Sequence, residues 1–283
     1  MTSTIAVLMT CHNRKATTLK CLDRLAKHAL PPGYQLQIYL VDDGSTDGTA
    51  DAVASEYADV HLIRADGSLF WSGGMHLAWR HAARSDPEFY LWMNDDTHLL
   101  PGALENLLRT WSEYAAVGRE RCIVVASCYD PQTGKHSYGG EMIRGAHPGR
   151  PIPVYPDPHA PRECATFNGN FVLVPRATFQ VLGFMRRFSH SISDTDYGLY
   201  ASRRGIPVVV APGYCAECEL NPIFECPHSA WQNPSLPRME RWRKLLNRRG
   251  LPPMDWWRFL WAHAGIRALW YWPTPYLRVL LGR

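Results

Sequence analysis

Leu36-Gln37-Ile38-Tyr39-Leu40-Val41-Asp42-Asp43-Gly44-Ser45-Thr46-Asp47-Gly48 decides the fold of this chain. Leu36 to Val41 is an apolar run with β-branched and aromatic members, which reads as a buried strand. Asp42 to Gly48 is turn chemistry, and Thr49 to Tyr57 reads as a helix. Outward from it the same alternation repeats. Upstream, Ile5-Ala6-Val7-Leu8-Met9 is a buried strand. A helix carrying Leu19, Leu22, Leu25, Ala26 and Ala29 follows and stops at Pro31-Pro32-Gly33. Downstream come a strand at Val60–Ile63, a helix at about 74–83 and a strand at Phe89–Met93. The alternation predicts an α/β protein, an open, mostly parallel sheet with helices on both faces.

Beyond Pro101 a helix to about Tyr114 and a strand at 122–127 are expected. Residues 129–162 are rich in Gly, Pro and His without periodicity and read as a long surface excursion. A strand within 165–175, helices at about 176–182 and 195–203, and a short strand at 207–211 complete the body. The tail is helical in pieces, with Trp257, Leu260, Trp261, Ala264 and Ala268 on one face.

The 283 residues, 46% hydrophobic and 20% charged, suffice for one large or two modest domains and exclude a disordered chain. The formal charge of +4 is too small to imply a nucleic-acid partner. It is unevenly spread: residues 238–283 hold ten Lys/Arg against two Asp/Glu, and six of the 11 Trp. No secretory signal or spanning helix is expected, so the chain reads as soluble or peripheral, with its eight Cys reduced.

Parallel sheets bind ligands beyond the carboxyl ends of their strands. Three polar clusters stand there: Thr10-Cys11-His12-Asn13-Arg14, Asp42-Asp43-Gly44-Ser45 and Asn94-Asp95-Asp96-Thr97. Each alone could be an ordinary turn; three at equivalent places point to one crevice. Neither a Gly-x-Gly-x-x-Gly nor a Gly-Lys-Ser/Thr is present, which argues against a dinucleotide cofactor or a P-loop. Acidic strand ends suit a hard cation shared with substrate phosphates.

Val41 to Asp47 after the second strand, with the Asn94-Asp95-Asp96 triplet after the fourth, resembles the inverting family 2 glycosyltransferases of the GT-A fold. Phe70 to Met75 and Leu91 to Thr97 look like a rhamnosyltransferase-like branch, and Ser193 to Gly198 resembles a later acidic motif. The resemblance implies that Thr10, His12, Asn13, Arg14 and Asp43 contact base and ribose, with Asp42 in support and Asp66 and Gly67 lining the same site. It implies Trp71, Ser72, Gly73, Gly74, Asn94 and Asp95 at the donor sugar or pyrophosphate. Asp96 would be the principal ligand of Mg²⁺ or Mn²⁺, with His228 as a further ligand. Asp194 would be the general base, and Asn168, Gly169, Asn170 and Asp196 would lie near the acceptor and sugars. Asn94 in place of a carboxylate and Ser193 in place of a Glu depart from the pattern.

The implied organisation is a glycosyltransferase domain at 1–237, with a nucleotide-sugar half at 1–100 and an acceptor half at 101–237, then a basic, Trp-rich segment at 238–283. The implied reaction transfers a sugar from a dTDP- or UDP-sugar, with dTDP-rhamnose one candidate. The acceptor is a glycan or lipid-linked molecule in cytoplasmic, peripheral-membrane synthesis of a bacterial surface polysaccharide. The alternatives are a degenerate sugar-nucleotide or glycan-binding subunit and a sugar nucleotidyltransferase. Three local readings stay open. Asp194 is a base or a helix cap. Cys215, Cys218, Cys226 and His228 hold zinc or form a loop with buried thiols. The tail meets a membrane surface or caps the catalytic body.

Overall fold

A computed structural model describes residues 2–190, 192–221 and 229–282. The first hundred residues follow the expected alternation: β1 (Ser3–Cys11), α1 (Lys15–Ala26), β2 (Tyr34–Asp42), α2 (Thr49–Glu56), β3 (His61–Arg64), α3 (Phe70–Ala82) and β4 (Phe89–Met93). Then come β5 (His98–Leu99), α4 (Ala103–Ala115), β6 (Ile123–Tyr129), β7 (His136–Tyr138), β8 (Gly140–Ile143), β9 (Pro151–Pro153), β10 (Arg162–Cys164), β11 (Thr166–Phe167), β12 (Phe171–Pro175), α5 (Arg176–Leu182), α6 (Ser193–Arg203) and β13 (Val208–Glu217). The tail forms α7 (Arg238–Leu246), α8 (Pro253–Ala264), α9 (Ala268–Tyr271) and α10 (Thr274–Leu280).

The main sheet runs β10-β13-β6-β12-β4-β1-β2-β3. β1 pairs in parallel with β2 and β4, while β12 enters antiparallel between β4 and β6. Alternate residues of β1 feed two cores. Ile5, Val7 and Met9 join Leu22 and Leu25 of α1 and Leu104 and Leu107 of α4 on one face; Ala6 and Leu8 join Met75, Ala78 and Trp79 of α3 and Tyr197 of α6 on the other. Trp79 is fully buried and packs edge-on to Trp92, Tyr197 and Phe184. Burying each such side chain contributes ~1.5–3 kcal/mol.

Four readings are corrected. The 129–162 excursion is not structureless: it contributes β7 to the main sheet, and β8 and β9 form a small sheet with β11 in the order β11-β8-β9. Strands of two to four residues are too short to show a period. Helix α3 starts at Phe70, not near Gly74, so Trp71 to Gly74 are helical. Strand β13 runs on to Glu217 through register shifts near Tyr214, which disguise its alternation. The buried face of α8 is Trp256, Phe259, Leu260 and His263, whereas Trp261 is 51% exposed. That face shares a cluster with Phe188 and with Leu199 of α6. Among the described residues no helix is long and apolar enough to cross a membrane.

Candidate active site

β1 lies between β2 and β4, at the point where strand order reverses, so its trailing loop emerges between two acidic clusters. It ties both down. His12 donates from Nδ1 to the Asp43 carbonyl at 2.6 Å, and the Asn13 amide donates to Ser45 Oγ at 2.8 Å. Asn13 Oδ1 accepts the Thr46 amide at 2.7 Å. Toward the other cluster, the Arg14 guanidinium meets Asp95 Oδ1 at 3.0 Å and Asp96 Oδ2 at 2.8 Å.

Asp43 is a brace. Its Oδ1 accepts the amides of Gly67 and Leu69 at 3.0 and 3.2 Å, and its Oδ2 accepts that of Phe70 at 2.7 Å. It thus folds the 66–70 loop over the crevice and ties its end to the start of α3. Gly44 permits this: a Cβ there would lie 2.6 Å from the Gly67 nitrogen. Asp42 Oδ1 accepts the Ser45 amide at 2.7 Å, and its Oδ2 is buried with no hydrogen-bond partner among the described residues. Asp66 is exposed, and hydrogen bonds from the Ser68 hydroxyl and amide hold its carboxyl below the ordinary range.

The first turns of α3 carry Trp71 to Gly74, the residues expected at the donor. Trp71 donates its indole N–H to Asn94 Oδ1 at 2.8 Å, and its ring fills the space over Gly169, where a Cβ would clash at 2.6 Å. Gly74 admits Thr10, whose Oγ1 would be 2.1 Å from an added Cβ. Ser72 does not face the crevice. It is fully buried and accepts the Ser193 hydroxyl at 2.6 Å and the Phe188 amide at 3.2 Å, fastening α3 to α6. Gly73 is buried, close to Leu69.

In the triplet, the Asn94 amide donates to the Asn170 carbonyl at 3.1 Å. Asp95 is buried, accepts the Thr18 hydroxyl at 3.0 Å, and has its carboxyl pushed up to about 6 by burial against the pull of Arg14. Asp96 is the accessible member, with Cys218 Sγ 3.7 Å from its Oδ1. Oxygen ligands at a strand end fit a hard cation completed by substrate phosphates. Asp96 can supply one, though its Oδ2 already receives Arg14. Among the described residues no three His, Cys, Asp or Glu gather to hold an ion. His228 and Cys226 lie outside the described residues, so the late ligand and the zinc reading cannot be placed. Cys215 and Cys218 are both buried and free; Cys215 faces Asn106 and Cys218 faces Asn170.

Across the crevice, Asp194 sits in the first turn of α6. Its Oδ2 accepts the Gly169 amide at 2.9 Å, and its Oδ1 accepts that of Thr195, in the first turn of the same helix, at 2.8 Å. Asn168 donates to Glu141 Oε1 at 3.3 Å, and Asn170 to Cys218. Asp196 faces away from this turn. It is 1% exposed and buried against His263 Nε2 at 2.8 Å and Arg186 Nε at 2.8 Å, a latch between α6 and the tail. Asn13, Phe70 and Ile192, with φ of 51°, 55° and 66°, are left-handed non-glycine residues at this crevice. Such backbone strain gathers at functional sites.

Glu141, the place of Cys218 beside Asp96 and the bonding of Trp71 to Asn94 were not legible from sequence. Glu141 lies 27 residues from the Asn168 it meets, inside a stretch without periodicity. Only the Gly139-Gly140 pair before it marked a close approach of chains.

A sheet of this order is GT-A-like, and solved structures share the fold. TarS from S. aureus in complex with UDP-GlcNAc aligns over 97% of this chain and 74% of its own, at 15% identity and a TM-score of 0.58. Mannosyltransferase PcManGT from Pyrobaculum calidifontis, in complex with GDP-Man and Mn²⁺, aligns over 100% and 74%, at 15% identity and 0.55. Glycosyl transferase family 2 matches residues 6–158, more than half of the chain, and the chain belongs to that family. Hyaluronan synthase of Streptococcus pyogenes is 36% identical over 124 residues, 40% of this chain and 29% of the synthase. The chain thus covers less than a third of that curated relative.

Proposed function

We propose that the protein is a metal-dependent, inverting glycosyltransferase that moves a sugar from a nucleoside-diphosphate sugar to a glycan or lipid-linked acceptor in bacterial surface polysaccharide synthesis. One observation carries this reading. The polar ends of β1, β2 and β4 are hydrogen-bonded into one crevice, with Asp96 on one side and Asp194 held by the Gly169 amide on the other. The ligands of the two solved relatives, UDP-GlcNAc and GDP-Man with Mn²⁺, support a nucleotide-sugar donor and a cation. The donor is read as a dTDP- or UDP-sugar, with dTDP-rhamnose one candidate from the resemblance of 70–75 and 91–97.

The chain's own residues divide the work. The β1 loop and the 66–70 loop hold base and ribose. Trp71 and Asn94 orient the sugar beside Asn168 to Asn170. Asp194 accepts the proton of the acceptor hydroxyl as that oxygen attacks the anomeric carbon and the nucleoside diphosphate leaves. Mg²⁺ or Mn²⁺, held by Asp96 with Asp95 behind it, would neutralise charge on the leaving diphosphate.

One observation favours the binding-subunit reading: Arg14 already neutralises the triplet, and Trp71 occupies the Asn94 amide oxygen. Thermal shift with UDP, dTDP, GDP, CDP and ADP, with and without Mn²⁺ or Mg²⁺, tests both readings. A shift with one nucleotide that needs the cation and vanishes in Asp96→Ala supports the donor site. Cation-dependent hydrolysis of the matching sugar nucleotide then distinguishes enzyme from binding subunit. No shift with any nucleotide overturns the donor site.

For residues 238–283 we favour the inner face of the plasma membrane. Trp261, Ile266, Leu269, Trp270 and Leu281 are 51–67% exposed, beside exposed Arg258, Arg267 and Arg278. Apolar side chains interleaved with arginine suit anionic lipid.

A further inference from the structure

We propose that Glu141, on the small sheet, is a positioning residue for Asp194, so that the two carboxylates act as a pair in taking the acceptor's proton. The inference rests on the glycosyltransferase reading for its chemistry but not for its geometry. The Asn168-Gly169 turn holds both groups: the Asn168 side chain donates to Glu141 Oε1 at 3.3 Å, and the next residue's amide donates to Asp194 Oδ2 at 2.9 Å. The backbone fixes Glu141 there, paired with Thr166 of β11 on one side and Pro153 of β9 on the other.

Glu141 Oε2 is sealed from solvent and, among the described residues, has no hydrogen-bond partner. Such a group costs free energy that an apolar residue of similar size would avoid. Burial and the neighbouring Asp194 charge push the Glu141 carboxyl up to about 7. The other titratable group that feels it is the buried Cys164 thiol on β10. Repulsion between two carboxylates is mutual. An ionised Glu141 therefore favours the arrival of a proton at Asp194. The proton leaving the acceptor hydroxyl then relieves that repulsion on reaching Asp194.

Two measurements test this. The first needs no activity. An acid raised from 4.5 to about 7 on folding contributes stability below pH 4.5 that is lost as pH rises through about 7. The Tm difference between Glu141→Gln and wild type should therefore grow in favour of the variant across that window. In Asp194→Asn, where the like charge is gone, the window should move to lower pH. A window that stays in place in Asp194→Asn overturns the pairing, whatever the enzymology. The second is the pH profile of kcat/KM with the donor identified above. Wild type should rise with a midpoint near 7; Glu141→Gln should lose that limb and run roughly tenfold slower at pH 8. A Glu141→Gln profile that parallels wild type reduces Glu141 to a structural residue and overturns the inference. A wild type inactive on every donor defeats the transferase reading instead, leaving the stability test to decide the pairing.

Discussion

Arg14 lies against Asp96, its guanidinium 2.8 Å from Oδ2, and so holds the carboxylate best placed to meet a cation. The same guanidinium reaches Asp95. An incoming ion has to compete with a charge-assisted hydrogen bond worth ~1.5–3 kcal/mol. Arg14→Gln should therefore bind Mn²⁺ about tenfold more tightly than wild type in the absence of nucleotide, measured by electron paramagnetic resonance. Unchanged affinity would show that Asp96 is not the ligand.

Asp194→Asn removes the base and can keep only one of the two backbone contacts, since its amide nitrogen cannot accept. Transfer should fall by about 10²–10⁴-fold, while nucleotide-induced thermal shifts stay within error of wild type. Loss of nucleotide binding would place Asp194 on the donor side instead.

Gly74→Ala brings a Cβ to 2.1 Å from Thr10 Oγ1 and 2.7 Å from its Cβ. Overpacking of this kind costs roughly 1–3 kcal/mol. Adding Thr10→Ala should recover part of the loss, because only the nearer of the two clashes disappears. Urea titration of both single variants and the double variant reads the coupling.

His263→Ala opens the latch on Asp196 and leaves Arg186 as its partner. The expected loss is about 1–3 kcal/mol, read as a lower Tm by calorimetry. His263→Asn should recover part of it if the hydrogen bond, and not packing, carries the effect.

Trp261→Ser with Trp270→Ser removes two exposed rings from the tail. Sedimentation with phosphatidylglycerol vesicles should fall severalfold, and added salt should weaken wild-type binding further because arginine–lipid attraction is screened. Wild-type binding that is equal on neutral vesicles would overturn the electrostatic part. Absence of vesicle binding, with a dimer seen in light scattering, would assign this face to a second copy.

The alternation over residues 1–100 was legible because β1 and β4 carry continuous apolar runs, β2 ends in one, and polar residues follow each. Parallel strands sharing one sheet must release those ends at the same edge. Residues from the β1 loop to the Asn94-Asp95-Asp96 triplet could be assembled on paper for that reason. The tertiary structure decided how they are used. Asp43 braces a loop because three amides converge on it, Ser72 turns inward to Ser193, and Asp196 serves the tail. None of these leaves a local trace: their partners lie 24 to 121 residues away, and a hydrogen bond across that distance imposes no pattern on neighbouring residues. Residues 101–237 show the same limit. Insertion of β12 antiparallel between β4 and β6, and the small sheet that brings Glu141 to Asn168, follow from which edges the folded sheet leaves to be paired. Local periodicity determined the strands and their polar ends; long-range pairing alone determined which carboxylates stand together.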